Sequence, residues 1–187
     1  MTATRRDHLV KTAVDLFYQN GYHATGIEKI LTASGVSKPT LYRHFGSKDD
    51  LIVAALRRWD EESYAWLCEE MATRADTPRD RVLALFDAFG DWFEKPGFQG
   101  CMFINAAVEF AEQDNPIHRV AAEHKRRILE LVCGELEDGG VKDAREVAEQ
   151  LMILMEGAIV TAHTRGQGDA ALRARAMAEA ILTQAQN

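Results

Sequence analysis

The chain has 187 residues, 47% of them apolar, with no run of about 18 apolar residues that would cross a bilayer, so a non-membrane globular chain of one or two domains is expected. Its net charge of −7 taken alone argues against nucleic acid as a partner. The charge is uneven, however: residues 1–58 hold nine Lys or Arg against five acids, a balance of +4 that leaves −11 for the rest, and a basic head on an acidic body presents one surface to phosphates. Met1 to Lys11 carry charge with no apolar segment behind them, so no secretory leader is expected and the expected location is the cytoplasm.

The first helix is expected from about Arg5 to Gln19, with Val10, Ala13, Val14 and Phe17 as its buried stripe and Asn20-Gly21 as its stop. Thr25-Gly26-Ile27-Glu28 then reads as a capping box, with Thr25 capping and Glu28 reaching back. Ile27, Ile30 and Leu31 continue a helical spacing to about Ser34. Gly35 can take the positive φ that ends a helix sharply. Ser37 is a suitable N-cap for the next helix, and Pro39 falls in its first turn, where a missing N–H costs nothing. Leu41 and Phe45 share the inner face of that helix, while Pro39, Thr40, Tyr42 and Arg43 project away from it. Two short helices meeting at a glycine form a helix-turn-helix over about 27–46.

Ser47 caps a longer fourth helix reaching about Thr73, its dipole complemented by Asp49 and Asp50. Thr77-Pro78 opens a fifth, to about Glu94, and Pro96 to Gly100 breaks the chain. A sixth is expected over Met102 to Glu112, and a seventh from Asn115-Pro116 to Gly139-Gly140. Asp143 and Glu146 box an eighth that reaches about Thr164, and Asp169 starts a ninth. No strand pattern, internal repeat or low-complexity tract interrupts this order, so the expected fold class is all-α.

Ala13 to Phe17, Gly21-Tyr22, Thr25, Ile27, Gly35-Val36-Ser37, Leu41-Tyr42, His44-Phe45, Ser47-Lys48 and Leu51 together resemble the N-terminal domain of TetR-family transcriptional regulators. The resemblance covers roughly the first third of the chain; the remainder is similar only in helical content and layout. It implies a nine-helix, two-domain fold, with a DNA-binding domain over 4–64 and an effector-binding and dimerisation domain over 65–187. It also implies a repressor that binds an inverted-repeat operator in double-stranded DNA as a homodimer and is released by a small-molecule effector, although the residues themselves do not separate repressor from activator. On matching positions, Thr25, Tyr42, His44 and Lys48 would touch phosphates, and Ser37, Lys38, Pro39, Thr40 and Arg43 would meet base edges or thymine methyls. Lys38 and Arg43 could also serve as phosphate contacts, and His44 could instead pack on the fourth helix. Val36, Leu41 and Phe45 read as core.

Val147, Leu151, Leu154, Met155, Ala158, Ile159 and Ala162 form an apolar stripe on the eighth helix, and Ala170, Ala174, Met177, Ala178 and Ile181 a small-residue face on the ninth. The family implies that these helices pack against their symmetry mates, with Leu151, Met155, Ile159, Ala174, Met177 and Ile181 at the interface. The other reading turns both stripes into the chain's own core. Trp66, Phe89, Trp92 and Phe103, with Cys101 and Asn105, are the residues expected around an effector cavity. Asn105, Glu109 and His163 are either polar anchors there or polar groups satisfied elsewhere. Three widely spaced cysteines, Cys68, Cys101 and Cys133, indicate neither a disulfide framework nor a zinc set. Cys101, next to a helix start, is either a small residue at the cavity edge or a redox or electrophile sensor.

No nucleophile elbow, phosphate-binding loop or H-E-x-x-H motif is present, and the six His show no metal-ligand spacing on one helix face. No catalysis, cofactor or metal is expected. A helical binding module that has lost DNA binding is the other class to weigh, and Thr25, Tyr42 and Lys48 speak against it.

Overall fold

The computed structural model describes residues 4–166 and 168–185. Among them nine helices follow one another with no strand: α1 (Arg5–Asn20), α2 (Ile27–Ser34), α3 (Lys38–His44), α4 (Lys48–Arg74), α5 (Pro78–Phe93), α6 (Met102–Glu109), α7 (Pro116–Asp138), α8 (Ala144–Arg165) and α9 (Ala170–Ala185). Contacts divide the chain into two compact units, one containing the residues to Glu62 together with Met102–His124, the other Ser63–Cys101 and the residues from Lys125.

In the first unit, α1 begins with a reciprocal cap. Thr4 Oγ1 accepts the Asp7 N–H at 3.1 Å, while the Asp7 carboxylate accepts the Thr4 N–H at 3.2 Å. The hydrogen bonds from the Thr4 hydroxyl and amide hold the Asp7 carboxyl below the usual carboxylate range. Leu9, Val10, Ala13, Val14 and Phe17 are buried, and α1 packs against α2 and α3. Gly21, at φ 80°, stops the helix, its N–H returning to the Phe17 carbonyl at 2.9 Å.

The capping box expected at Thr25 and Glu28 does not form. Gly26 is the N-cap of α2, and the fully buried Thr25 turns its hydroxyl back to donate to the Gly21 carbonyl at 2.7 Å. The end of α1 leaves carbonyls without intrahelical donors, and a threonine four residues on satisfies one of them. Gly35, at φ 65°, ends α2 in the left-handed region as expected.

Contacts divide the chain between Glu62 and Ser63, close to the boundary expected at 64, but α6 and the start of α7 also belong to the first unit. Their long-range partners lie there: the Tyr22 hydroxyl donates to the Met102 carbonyl at 2.9 Å, and His124 Nδ1 meets Asp60 Oδ1 at 2.6 Å under the stacked ring of Phe103. α6 stops at Glu109, short of the expected Glu112. The stretch from Ala111 to Asp114 is exposed, and Asn115 Oδ1 accepts the Ile117 N–H at 2.8 Å to start α7.

In the second unit, α5 is capped by Thr77, whose Oγ1 accepts the Asp80 N–H at 3.2 Å, and it packs on α8 and α9. The box expected at Asp143 and Glu146 is absent: Asp143 sits at φ 54°, ψ 38° and makes no side-chain cap bond. A side-chain cap needs extended backbone at that residue, which the left-handed conformation denies. The expected dimer residues are mostly turned inward. Leu151, Met155, Ile159 and Ala174 are buried within the chain's own core, and Ile181 is half-buried. Of the six only Met177 is exposed, at 57%, and the helical period puts three further apolar residues outside: Ile153 at 72%, Val160 at 44% and Leu172 at 68%.

Candidate nucleic-acid interface

Helix α3 is held by its inner side. Leu41 is fully buried and Phe45 nearly so, with the Arg6 guanidinium 5.2 Å from the centre of the Phe45 ring. That anchorage leaves Ser37, Lys38, Pro39, Tyr42, Arg43 and His44 exposed and Thr40 half-buried. Ser37 occupies the N-cap position by its backbone, but its hydroxyl lies 2.9 Å from that of Thr40 and caps no amide. Lys48, in the first turn of α4, reaches the His23 carbonyl at 3.5 Å.

Two expected contacts read differently in three dimensions. Thr25 is withdrawn from the surface, its hydroxyl committed to Gly21, so its side chain is not a phosphate ligand. Lys38 is exposed but paired, its ammonium 2.7 Å from Glu28 Oε1, and the hydrogen bond it donates to that carboxylate holds Lys38 above the usual lysine range. Both partners lie in water, where salt weakens the pair and a phosphate or guanine can take the ammonium over. The charge that α2 contributes here was legible only as a helix cap; three-dimensional proximity makes it the neighbour of α3.

The six residues expected around one cavity separate. Trp66, Phe89 and Trp92 join Phe93 and Phe98 in a ring cluster of the second unit, with Trp92 and Phe98 edge to face at 4.9 Å. Trp66 Nε1 donates to Glu70 at 2.8 Å, and Cys101 is buried. Phe103 and Asn105 belong to the first unit, and one face of Phe103 is covered by His124 at 3.6 Å between ring centres. A cleft of about 300 Å³ in the second unit is lined by Phe93, Lys95, Gly97, Phe98, Ala162, His163, Gly166 and Gly168, none of them among the six. Glu109 is not a cavity anchor: its carboxylate accepts the backbone N–H groups of Tyr22 and His23. Nothing local in the sequence signals that contact.

Among the described residues no group of three or more His, Cys, Asp or Glu could hold a metal ion, and no helix is long and apolar enough to cross a membrane.

Comparison with known proteins accords with this geometry. Residues 9–55 match the family model for bacterial regulatory proteins of the tetR family, and residues 78–178 match that for the tetracyclin repressor-like C-terminal domain. The transcriptional activator FasR of Mycolicibacterium smegmatis is 39% identical over 90 residues, which span 48% of this chain but only 41% of FasR. The transcriptional repressor KstR2 of the same organism is 30% identical over 150 residues, 78% of this chain and 71% of that protein. A crystal structure of a TetR-family transcriptional regulator from Streptomyces coelicolor superposes with a TM-score of 0.90 at 30% identity, covering 98% of this chain and 96% of that one. With both halves matched and the exposed α3 face in place, the chain belongs to the TetR family of DNA-binding transcriptional regulators.

Proposed function

We propose that the chain is a cytoplasmic repressor that binds an inverted repeat as a homodimer and is released by a small molecule. The observation that carries this reading is the division of α3 into a buried anchor, Leu41 and Phe45, and an exposed row of Lys38, Tyr42, Arg43 and His44. Such a helix fits the major groove, where Arg or Lys can meet guanine O6 and N7. Two of them about 34–36 Å apart read successive half-sites.

The exposed apolar side chains Ile153, Val160, Leu172 and Met177 on α8 and α9 support a twofold partner, since a second copy would cover them. The aromatic cluster around Trp92 and the neighbouring cleft support an apolar ligand site in the second unit. To take DNA-competent dimers from 99% to 1%, a ligand must prefer the incompetent form by about 10⁴, roughly 5.5 kcal/mol.

A gel shift on DNA upstream of its own gene tests the reading. The expected result is a salt-sensitive, sequence-dependent shift by a dimer, together with lower expression of a reporter carrying that DNA. A chain that shifts no DNA would be a helical binding module, and one that raises reporter expression would be an activator.

A further inference from the structure

The turn between α1 and α2 encloses an anion site that the chain fills itself. Gly21, at φ 80°, presents the next two backbone amides to one place, and the Glu109 carboxylate accepts both, from Tyr22 at 3.0 Å and from His23 at 2.7 Å. Consecutive N–H groups in such a turn make an anion-binding concavity. Here the occupant is the last residue of α6, in the same compact unit. The fit is close: a Cβ at Gly21 would stand 3.0 Å from Glu109 Oε1.

The rest of α6 is fastened to the same turn. The Tyr22 hydroxyl donates to the Met102 carbonyl at the start of the helix, and the His23 ring Nε2 lies 3.0 Å from the Glu109 carbonyl, with Phe110 against the ring at 4.7 Å. On its other side the turn meets the DNA reader. Lys48 Nζ reaches the His23 carbonyl, and Thr25, two residues on, ties the start of α2 to Gly21.

We propose that Glu109 is a positioning residue for DNA binding: its carboxylate fixes the Gly21–His23 turn and through it the placement of Lys48 and of the N-terminus of α2. It need not touch DNA. This inference rests on reading Lys48 as a phosphate contact, and the experiment separates the two.

Glu109→Gln, Glu109→Ala, Lys48→Ala and the Glu109→Gln/Lys48→Ala double variant are compared with the unaltered protein on a duplex selected by that protein from random-sequence DNA. Affinity is followed against salt by fluorescence anisotropy, the active fraction by stoichiometric titration, and exchange of the Tyr22 and His23 amides by hydrogen–deuterium exchange. Glu109→Gln keeps the shape and removes the charge. It should speed exchange of both amides, weaken binding about tenfold through loss of charge-assisted bonds, and lower the log–log salt slope by about one phosphate contact. In that background Lys48→Ala should cost little more, since residues acting as one unit are not additive. Folded Glu109 variants with unchanged affinity and slope would overturn the proposal, as would a reduced active fraction with unaltered affinity, which marks a purely structural role. A Lys48→Ala protein with an unchanged slope overturns the phosphate reading of Lys48 alone; Glu109 then stands or falls on whether Glu109→Gln weakens binding.

Discussion

Tyr42 and Thr25 show how burial decides a residue's role. Both match the family pattern, yet Tyr42 is 46% exposed on α3 while Thr25 is sealed beneath the turn with its hydroxyl on Gly21. Thr25→Val should therefore lower stability by about 1 kcal/mol, the net worth of a buried hydrogen bond, in thermal unfolding, and weaken DNA binding only as far as it loosens the start of α2 from the turn. A large affinity loss without a stability loss would restore Thr25 to the interface. Arg43 lies outward on α3 with no anchoring role, so Arg43→Ala should cost about 1–3 kcal/mol at one base position if it reads guanine. Binding to a panel of single-base operator variants measures this: a uniform loss across the panel would mean a phosphate contact instead. The residue types and their order were legible in the sequence, because turn, cap and inner-face positions are local properties. Exposure was not, because a threonine beside a helix start can cap the helix ahead or bond back to the helix behind with equal chemical sense.

Among the elements, glycine positions were the most readable and cap chemistry the least. Gly35 adopts the left-handed conformation foreseen for the turn of the helix-turn-helix, with nothing within 4 Å of where a Cβ would stand. Gly35→Ala should then cost about 1–2 kcal/mol of backbone strain alone. Gly21, at φ 80° and ψ 167°, lies in a region essentially open to glycine alone, so Gly21→Ala carries greater backbone strain plus the 3.0 Å approach to Glu109 Oε1. In chemical unfolding it should lose more than Gly35→Ala, and Glu109→Ala should remove the part of that excess due to the close approach; an excess that Glu109→Ala leaves undiminished would mean the carboxylate is not what the Cβ meets. By contrast, the boxes written in the residues at Thr25/Glu28 and Asp143/Glu146 are both absent, while the one at Thr4/Asp7, unforeseen, is made. A cap motif states which bond is available. Backbone angles set by the neighbouring helix determine whether it forms.

For the whole molecule, charge and helix order pointed to a basic head and an acidic body, and separate family models match residues 9–55 and 78–178. The proposed twofold contact can be tested without disturbing the core. Ile153→Lys with Met177→Lys should convert dimers to monomers in sedimentation velocity at unchanged far-ultraviolet circular dichroism, and binding to the inverted repeat should fall with the dimer. Leu151→Ala should instead cost about 2–5 kcal/mol of stability, the range for truncating a buried leucine. Dimers that survive the double lysine variant would place the contact elsewhere on the chain.

The amino-acid sequence alone determined that this protein is a succession of helices with a DNA-reading pair near its start, because helix periodicity, glycine stops and the basic, outward-facing row of α3 are all short-range patterns. Only the tertiary structure decided which side of α8 and α9 is left uncovered, that α6 belongs with the DNA reader, and that Glu109 fills the turn after α1. Each of those depends on partners far apart in the chain, and a helical pattern specifies that one face is buried without specifying what buries it.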